Sequence, residues 1–462
     1  MSNFNLFLST RQNKKLYKFL INSTKNNAEL ILGQQLEIVY FKQKKFPSIN
    51  FIIFLILTIL NGAFFFNKKF INLKYSSYQI GRYVLSHCMR KGGFYSNKFN
   101  FWYLKFKFLI VAGKLLNSLD QINDSVKAAY IDHGMYINGI LLQVAIKKRI
   151  LIYSNGYPKG IFCYDFRSSR KKKLNMQYED FIKLKPRNIN HKQLIATKKA
   201  LKKICCYKEL YPWMLKAKFL QFKKKIDLKK FTHVIYTHSF LEVRYIFGND
   251  GFLGYEDWLE FTIKELVKNK DNYILVKAHP NFYTNNFTDH NYIDLEIFQK
   301  IKNKFKNELN LYFMDYSYKN YDLLTKLNKK TIVVARHSNA LMEAIYFGFK
   351  VIFSSAVTWD VDYLRSDNCW KNKDDYSVLL RKDWTKLYFF SKTLFYRLSY
   401  DFFCNPKHSF GKDLWVNIIS DYYKIPYTEL EKKISTTIQK DQNFNKLINK
   451  ISSRSIFYEK VS

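Results

Sequence analysis

Five short runs of mostly aliphatic and β-branched residues lie between residues 232 and 355, and they constrain the fold more than any other feature. They read THVIYTH (232–238), NYILVKAHP (272–280), NLYFMD (310–315), TIVVARHS (331–338) and KVIFSS (350–355). Helical patterns separate them, notably Glu256 to Lys268 and Asn339 to Phe347. Strands that alternate with helices in this way predict an open, doubly wound parallel sheet of Rossmann type.

The N-terminal half repeats this rhythm once. The run KAAYI (127–131) is followed by a helical pattern from Asn138 to Lys147 and by the run RILIY (149–153), which is typical of a parallel βαβ unit. We therefore predict an α/β protein with two such domains, at residues 49–166 and 231–382. The rest of the chain is predicted to form a helical extension at 1–48, a Lys-rich helical connector at 167–230 and a C-terminal helical segment at 383–462.

The charge of the chain is strongly positive, with 77 Lys and Arg against 37 Asp and Glu, a formal net charge of +40. Such an excess favours anionic partners such as nucleic acids or membrane faces. The lysines, however, are spread along the whole chain beside abundant Asn, Ile, Phe and Tyr, as an AT-rich coding sequence produces. We therefore predict a solvated basic surface and no nucleic-acid partner, with a basic nucleic-acid-binding protein as the less favoured alternative.

The most apolar stretch runs from Asn50 to Phe66, NFIIFLILTILNGAFFF, between the pairs Lys44-Lys45 and Lys68-Lys69. It is shorter than the ~20 apolar residues that a membrane-spanning helix needs, and Asn61-Gly62 interrupts it. We predict a buried helix or strand pair, with docking at a membrane interface as the alternative. The six cysteines include no Cys-x-x-Cys pair, and the first residues lack the order of a secretory signal, which together favour a reducing cytoplasm.

The loop KAHPN (277–281) directly follows one of the predicted strands. Ligands of doubly wound sheets bind at the carboxyl ends of the strands. Proline disfavours helical geometry at the residue before it, so we expect His279 to be extended at the strand tip with its imidazole toward the crevice. There it can donate a hydrogen bond or a proton to a leaving phosphate. The alternative is a His-Pro pair that only ends the strand.

A second loop, RHSN (336–339), precedes the helical pattern ALMEAIYFG. Ser338 or Asn339 is a suitable N-cap, and Gly348 stands where a left-handed C-cap is expected. A helix start of this kind predicts an anion site. Glu343 is predicted to reach the crevice, where its carboxylate can accept hydrogen bonds from ribose hydroxyls. Complementing the helix dipole is the alternative role for Glu343.

Taken together, VKAHPN (276–281) and HSNALMEAIYFGFKVIF (337–353) resemble the donor domain of bacterial capsule and surface-polysaccharide biosynthesis proteins. These proteins have the GT-B glycosyltransferase architecture, with a His-Pro motif and a Ser/Thr…Glu helix motif. The resemblance spans roughly residues 75–360. Further segments that carry it are THSF (237–240), FLGYEDWL (252–259), IGRY (80–83) and the series Asp132…Tyr136…Gly139.

The resemblance implies an enzyme that moves a sugar from a nucleotide-sugar donor onto a growing surface (capsular) polysaccharide or a lipid-linked glycan. Two Rossmann-type domains would face each other across a cleft. The enzyme would be cytoplasmic, with peripheral contact at the inner face of the plasma membrane left open, and it would need no cofactor beyond the nucleotide sugar as substrate. Polymerases of teichoic-acid type, which transfer glycerol phosphate or ribitol phosphate, carry the same two motifs and are the alternative.

The resemblance also implies roles for single residues. His279, Ser338 and Asn339 would contact the donor phosphate, and Glu343 would contact the ribose. The same loops contribute the other donor-binding candidates, which are Lys277, Pro280, Arg336, His337 and His238.

The general base of an inverting transfer is expected near the N-terminal sheet. Asp132 and His133, at a predicted strand end beside Gly134, are the compact candidates for this role. Capping of the following turn is the alternative role for Asp132.

One short motif points to a different chemistry, because Asp360-Val361-Asp362 spells the Asp-x-Asp of metal-dependent transferases. We expect no metal, since His279, Arg336 and the helix start at Ser338 are predicted to supply the positive potential that a leaving phosphate needs.

Overall fold

The fold is described from a computed structural model. The residues it describes are 5–9, 37–40, 44–91, 97–118, 126–131, 136, 138–148, 151–156, 160–164, 188–206, 226–241, 250–252, 254–283, 291–314, 318–336, 338, 340–354 and 368–403. The chain divides into two compact units. The first comprises Met1–Val84, Phe106–Asn175 and Asn405–Ser462, and the second comprises Leu85–Lys105 and Met176–Cys404.

The first unit is built on a mainly parallel sheet. Its described strands are β1 (Asn5–Ser9), β2 (Glu37–Tyr40), β3 (Lys74–Tyr75), β4 (Tyr78–Gln79), β5 (Val126–Ile131), β6 (Leu151–Gly156) and β7 (Gly160–Tyr164). Five of them form one sheet in the order β2-β1-β5-β6-β7, in which only β7 runs antiparallel to its neighbour. Strands β3 and β4 form a short antiparallel hairpin.

The described helices of the N-terminal half are α1 (Ile49–Leu60), α2 (Asn67–Phe70), α3 (Gly81–Arg90), α4 (Lys98–Leu116) and α5 (Asn138–Lys147). Helix α5 connects the parallel strands β5 and β6 and contacts both of them. The predicted βαβ unit is therefore present.

The structure differs from the predicted helical extension at 1–48, because two segments within it are strands. Strand β1 pairs in parallel with both β2 and β5, and Phe7 lies opposite Val39 on one side and Ala129 on the other. A strand inside a sheet needs partners for its backbone N–H and C=O groups on both sides, and β1 finds them 32 residues away in β2 and more than a hundred residues away in β5. A short aliphatic run therefore becomes a strand here only through tertiary pairing.

The apolar segment at 50–66 contains helix α1, which is buried on one side. Phe51, Leu55 and Thr58 are buried, and Ser48 caps the helix by accepting a hydrogen bond from the Phe51 N–H. The opposite side is exposed, so the prediction of a buried element holds for one face only. Among the described residues, no helix is both long and apolar enough to cross a membrane.

The second unit contains a fully parallel sheet. Its strands are β8 (His233–Tyr236), β9 (Ile274–Lys277), β10 (Leu311–Met314), β11 (Ile332–Ala335), β12 (Lys350–Ser354) and β13 (Cys369–Trp370). Their order is β10-β9-β8-β11-β12-β13. Each of the five predicted runs forms one strand. The α/β fold with two Rossmann-type sheets is confirmed, whereas a cleft between the domains and the domain boundaries stay predictions.

Seven described helices accompany this sheet: α6 (His191–Cys205), α7 (Tyr255–Leu266), α8 (Asn291–Lys304), α9 (Asn320–Leu324), α10 (Ala340–Tyr346), α11 (Lys373–Leu380) and α12 (Lys392–Phe403). Helix α6 lies in the predicted connector, but it packs against α10 and α12. Its residues Leu201, Ile204 and Cys205 are buried, and Gln193 donates a 2.9 Å hydrogen bond to the hydroxyl of Tyr400 on α12. This part of the connector therefore belongs to the second unit.

A buried aromatic cluster fixes helix α7 on the sheet. The Trp258 indole N–H donates a 3.0 Å hydrogen bond to the Tyr376 hydroxyl, which also lies 2.7 Å from the Thr262 hydroxyl. The Trp370 ring lies 4.0 Å from the Tyr376 ring between centroids. The Trp258 indole N–H and the Tyr376 hydroxyl are therefore satisfied inside the cluster, whereas the Trp370 indole N–H is buried without a hydrogen-bond partner among the described residues.

A substitution at Gly81, the first residue of helix α3, tests the packing of the first unit. A Cβ atom added at Gly81 would lie 1.8 Å from the backbone oxygen of Phe70, which cannot rotate away. We expect Gly81→Ala to lower the free energy of unfolding by about 3 kcal/mol. As a control, Gly348 has φ of +81° but nothing within 4 Å of an added Cβ, so Gly348→Ala should cost only about 1 kcal/mol. Urea denaturation measures both, and equal costs would contradict this packing.

Candidate functional site

The second sheet has a topological switch point between β8 and β11. From β8 the chain proceeds through β9 and β10 to one edge, and then returns to β11 on the other side of β8. In doubly wound sheets, the loops that leave such a point open a crevice at the carboxyl ends of the strands. The loops after β8, β9 and β11 carry the donor-binding candidates. The topology therefore brings the predicted residues together at the carboxyl ends of the strands, which form the carboxyl edge of the sheet.

Two histidines meet at this edge. His238 follows β8, His279 follows β9, and their ring centroids are 5.3 Å apart. The His238 ring also stacks on Tyr255 at 5.2 Å with an interplanar angle of 18°. A 3-10 turn begins at Pro280, so His279 stays outside it, as the His-Pro geometry predicts. Both histidines are half-buried.

The loop that carries His238 is held in place by Asp294 on helix α8. The Ser239 hydroxyl donates a 2.6 Å hydrogen bond to one oxygen of this carboxylate, and the Phe240 N–H donates a 2.8 Å bond to the other. At the residue before His238, the Thr237 hydroxyl donates a 2.9 Å hydrogen bond to the Lys277 carbonyl. Sequence reasoning missed Asp294, because an acid in the first turn of a helix normally reads as a dipole complement.

Lys277, the last residue of β9, is a buried cation at 1% exposure. Its ammonium lies 5.7 Å from the centroid of the Tyr236 ring. Burial lowers the pKa of Lys277 to about 8, and the nearby Glu343 carboxylate opposes this shift. The Tyr236 hydroxyl is buried and has no hydrogen-bond partner among the described residues. Burial, and secondarily Glu343, hold its pKa well above the usual range.

Glu343 on helix α10 is only 2% exposed, so its carboxylate is buried, like Lys277 and Tyr236. Its charge affects both Lys277 and Tyr236, which places it beside the carboxyl ends of β8 and β9. A carboxylate and an ammonium that are both removed from water stabilise each other's charged forms. Glu343 therefore helps to keep Lys277 protonated.

The surroundings of His279 favour its neutral form. Its pKa is well below the usual range, first because of burial and then because of the neighbouring His238 and Lys277. A neutral imidazole has one N–H donor and one acceptor nitrogen. His279 can therefore donate a hydrogen bond to a phosphate oxygen, but it does not supply the positive charge that the sequence analysis assigned to it.

Arg336, a donor-binding candidate on the loop after β11, forms a buried ion pair. Its guanidinium is 5% exposed and donates two 2.7 Å hydrogen bonds to Asp250 and a third, of 3.1 Å, to the Phe252 carbonyl. The Ser354 hydroxyl donates a 2.7 Å bond to the same carboxylate. The charge of Arg336 is thus compensated inside the protein. Sequence reasoning missed Asp250, because no pattern connects residues 86 positions apart.

The carboxyl group of Asp250 stays ionised in this environment. Burial acts to raise its pKa, but the Arg336 charge and the hydrogen bonds from Arg336, Ser354 and the Phe252 N–H outweigh burial and hold the pKa below the usual range. The buried pair therefore persists across the neutral pH range.

The loop after β11 forms the predicted caps of helix α10. The Ser338 hydroxyl accepts a 3.1 Å hydrogen bond from the Ala340 N–H. At the other end, the Gly348 N–H donates to the Ile345 carbonyl and the Phe349 N–H donates to the Ala344 carbonyl, both at 3.0 Å. This arrangement is a Schellman motif, with Gly348 in the left-handed region at φ +81°.

Several predicted site residues lie outside the described part of the chain. They are Asp132, His133, His337, Asn339, Asp360 and Asp362. Among the described residues, no group of three or more His, Cys, Asp and Glu side chains could hold a metal ion.

Comparisons with known proteins find no matching family model and no curated protein with a significant match. Solved structures are similar only at a low level. KpsC of Thermosulfurimonas dismutans, a β-Kdo 2,4 transferase, has a TM-score of 0.36 and 13% identity, over 60% of this chain and 79% of its own. Alr3699/HepE of Anabaena, solved with UDP and glucose, has a TM-score of 0.30 and 8% identity, and the match covers 94% of this chain and 99% of Alr3699/HepE. S. aureus MnaA, solved with UDP, has a TM-score of 0.28 and 13% identity, and the match covers 92% of this chain and 97% of MnaA. At these TM-scores, no statement about the function of this chain follows.

The buried pair makes a direct prediction for stability. Asp250→Ala leaves the Arg336 charge buried without its counterion, so we expect the free energy of unfolding at pH 7 to fall by about 3–5 kcal/mol. Because the pKa of Asp250 is depressed, this contribution is present above the ordinary Asp pKa and is lost as the pH falls below it. The difference between wild type and variant should therefore narrow below about pH 4.

A double variant is the control for this experiment. Asp250→Leu with Arg336→Met removes both charges and should be less destabilised than Asp250→Ala alone. Denaturant titrations of the three proteins measure the effect. A single variant as stable as the wild type would contradict a structural role for the pair.

Proposed function

We propose that the chain is a glycosyltransferase that moves a sugar from a nucleotide-sugar donor onto a growing surface (capsular) polysaccharide or a lipid-linked glycan. One observation carries this proposal: His238 and His279 meet at the switch point of a parallel sheet beside the buried cation Lys277. Nucleotides bind doubly wound sheets at this edge. Imidazole donors next to a buried ammonium are suited to the charge of a diphosphate.

In this proposal His279 contacts the leaving phosphate. As bonding to the sugar breaks, negative charge grows on the phosphate oxygen, and a hydrogen bond from the His279 N–H becomes stronger. His238, fixed by the Tyr255 ring and by the anchored loop, is placed to contact a second oxygen of the same group. Ser338 and Asn339 are retained as donor-binding residues on the neighbouring loop, as are Pro280 and His337.

Lys277 supplies the positive charge at this edge in the proposal. Arg336 is compensated by Asp250 and His279 is neutral, so neither can balance a diphosphate. A buried ammonium acts in a low-dielectric environment, where its attraction for an anion is larger than in water. We therefore propose a transfer without a divalent metal. Glu343 tunes the protonation of Lys277, and the ribose contact that the resemblance implies for Glu343 remains part of the proposal.

The acceptor side of the reaction rests on the sequence. Asp132 or His133 is proposed as the general base that removes the proton from the acceptor hydroxyl. A lipid-linked acceptor would require contact with the inner face of the plasma membrane. Transfer of glycerol phosphate or ribitol phosphate in place of a sugar is an outcome that substrate tests can distinguish.

Nucleotide binding tests the proposal first. We expect at least one of UDP, GDP, CDP and CMP to raise the thermal unfolding midpoint, because a ligand that binds only the folded state stabilises it. His279→Ala should abolish sugar transfer and keep the unfolding midpoint of the free protein, since this half-buried side chain lies in a loop. His191→Ala, at an exposed helix start, is the matched control and should transfer normally. No shift with any nucleotide, or full turnover by His279→Ala, would overturn the proposal.

The buried cation predicts a pH dependence. Transfer should decline as the pH rises through about 8, because Lys277 then loses its proton. Glu343 raises the pKa of Lys277, so Glu343→Gln should move this alkaline limb to lower pH. Glu260→Gln, on the outer part of helix α7 where the carboxylate pairs with Lys304, is the control and should leave the limb in place. A pH–rate profile that Glu343→Gln does not move would contradict this role.

A further inference from the structure

Helix α1 is apolar around most of its circumference, its polar residues being Asn50, which is exposed, and Thr58, although only one side of it is buried. Phe51, Leu55 and Thr58 form the inner side. The outer face consists of aliphatic side chains that are each between 37% and 76% exposed: Ile49, Ile52, Ile53, Ile56, Leu57 and Leu60. Helices that are hydrophobic all round are normally buried or in contact with lipid. This outer face therefore marks a surface that binds something apolar.

Both ends of the outer face carry an exposed phenylalanine next to a lysine. Before the helix, the Lys45 ammonium lies 5.6 Å from the centroid of the exposed Phe46 ring. After it, the Lys69 ammonium lies 5.7 Å from the ring of Phe66, which is also exposed. An apolar body with aromatic rings and lysines at its margins is typical of helices that lie in a membrane interface, where the ammonium groups extend to the headgroups.

The sequence around this face excludes negative charge. Between Glu37 and Asp120 there are 13 Lys and Arg residues and no Asp or Glu. The chain as a whole has 37 acids in 462 residues, so a stretch of 82 residues would hold about seven at the average frequency. The lysine-rich composition therefore does not account for this stretch, because its distinguishing feature is the missing acids. An acid-free basic segment on either side of the helix complements anionic lipid headgroups.

The length of the helix decides how it can meet a bilayer. Its 12 residues extend over ~18 Å, which is well below the ~30 Å of a hydrocarbon core. A helix of this length cannot span the bilayer, but it can lie in the headgroup region with one face toward the acyl chains.

We infer that the outer face of α1 docks flat onto the surface of an anionic phospholipid bilayer. Its aliphatic side chains enter the boundary of the acyl chains, and Lys44, Lys45, Lys68 and Lys69 contact the headgroups. A second copy of the chain is a poorer occupant for this face, because it would bring the same acid-free basic surface and like charges would repel. The inference concerns the first unit and does not depend on the proposed transferase activity.

Vesicle co-sedimentation of the full chain tests the inference. The vesicles are phosphatidylcholine alone and phosphatidylcholine mixed with phosphatidylglycerol, each at low and high salt. We expect binding to the anionic vesicles at low salt and weaker binding at high salt, since screening reduces the attraction of the lysines. Ile53→Asp with Leu60→Asp should weaken binding by about tenfold or more, because it places charge in the acyl boundary. Val378→Asp, at an exposed aliphatic position on helix α11, is the matched control and should bind like the wild type.

Two further measurements separate the competing occupants. The unfolding midpoint of Ile53→Asp/Leu60→Asp should equal that of the wild type, because the substituted side chains face solvent in the free protein. A markedly lower midpoint would show that the chain itself covers the face and would overturn the inference. A dimer of the wild type that the same variant dissociates, or failure of the wild type to bind anionic vesicles at low salt, would overturn it too.

Discussion

The candidate site of the second unit depends on the buried ion pair between Arg336 and Asp250. Both charges are removed from water, and each is stable only while the other, with its hydrogen bonds, stays in place. The pair joins the carboxyl end of β11 to the segment before helix α7, and Ser354 extends the connection to β12. Above the guanidinium, at 5.0 Å, lies the Tyr255 ring on which His238 stacks. The Tyr255 ring thus lies between the buried ion pair and one of the candidate site histidines.

The three basic groups at the carboxyl ends of β9 and β11, Arg336, His279 and Lys277, have different electrostatic states. Arg336 is compensated by Asp250, His279 is neutral because of burial and its basic neighbours, and Lys277 keeps a proton with help from Glu343. Burial alone would discharge all the titratable cations. The carboxylates decide which cation survives, so the acids of this site matter as much as its bases. In a chain with a net charge of +40, the candidate site thus contains one buried ammonium, Lys277, whose charged form the Glu343 carboxylate favours.

The two units use charge in different ways. In the second unit, acids such as Asp250, Asp294 and Glu343 are buried or anchored and give the site its geometry. In the N-terminal part, a stretch of 82 residues contains no acid, and exposed lysines lie before and after an exposed apolar helix face of the first unit. A pocket for an anion requires a few groups with fixed positions, whereas contact with a bilayer requires only a field of one sign and an apolar surface.

The sequence by itself determined five of the six strands of the second sheet, helix α10 with its cap at Ser338 and its left-handed Gly348, and the His-Pro loop. Each of these is a local property, because aliphatic runs, capping side chains and proline act within a few residues. Only the tertiary structure decided that β1 and β2 join the first sheet, that Asp294 anchors the loop of His238, and that Arg336 is held by Asp250. These contacts join residues that are 32 to more than a hundred positions apart. A buried charge takes its partner from whatever the fold places beside it, and the linear sequence carries no signal of that choice.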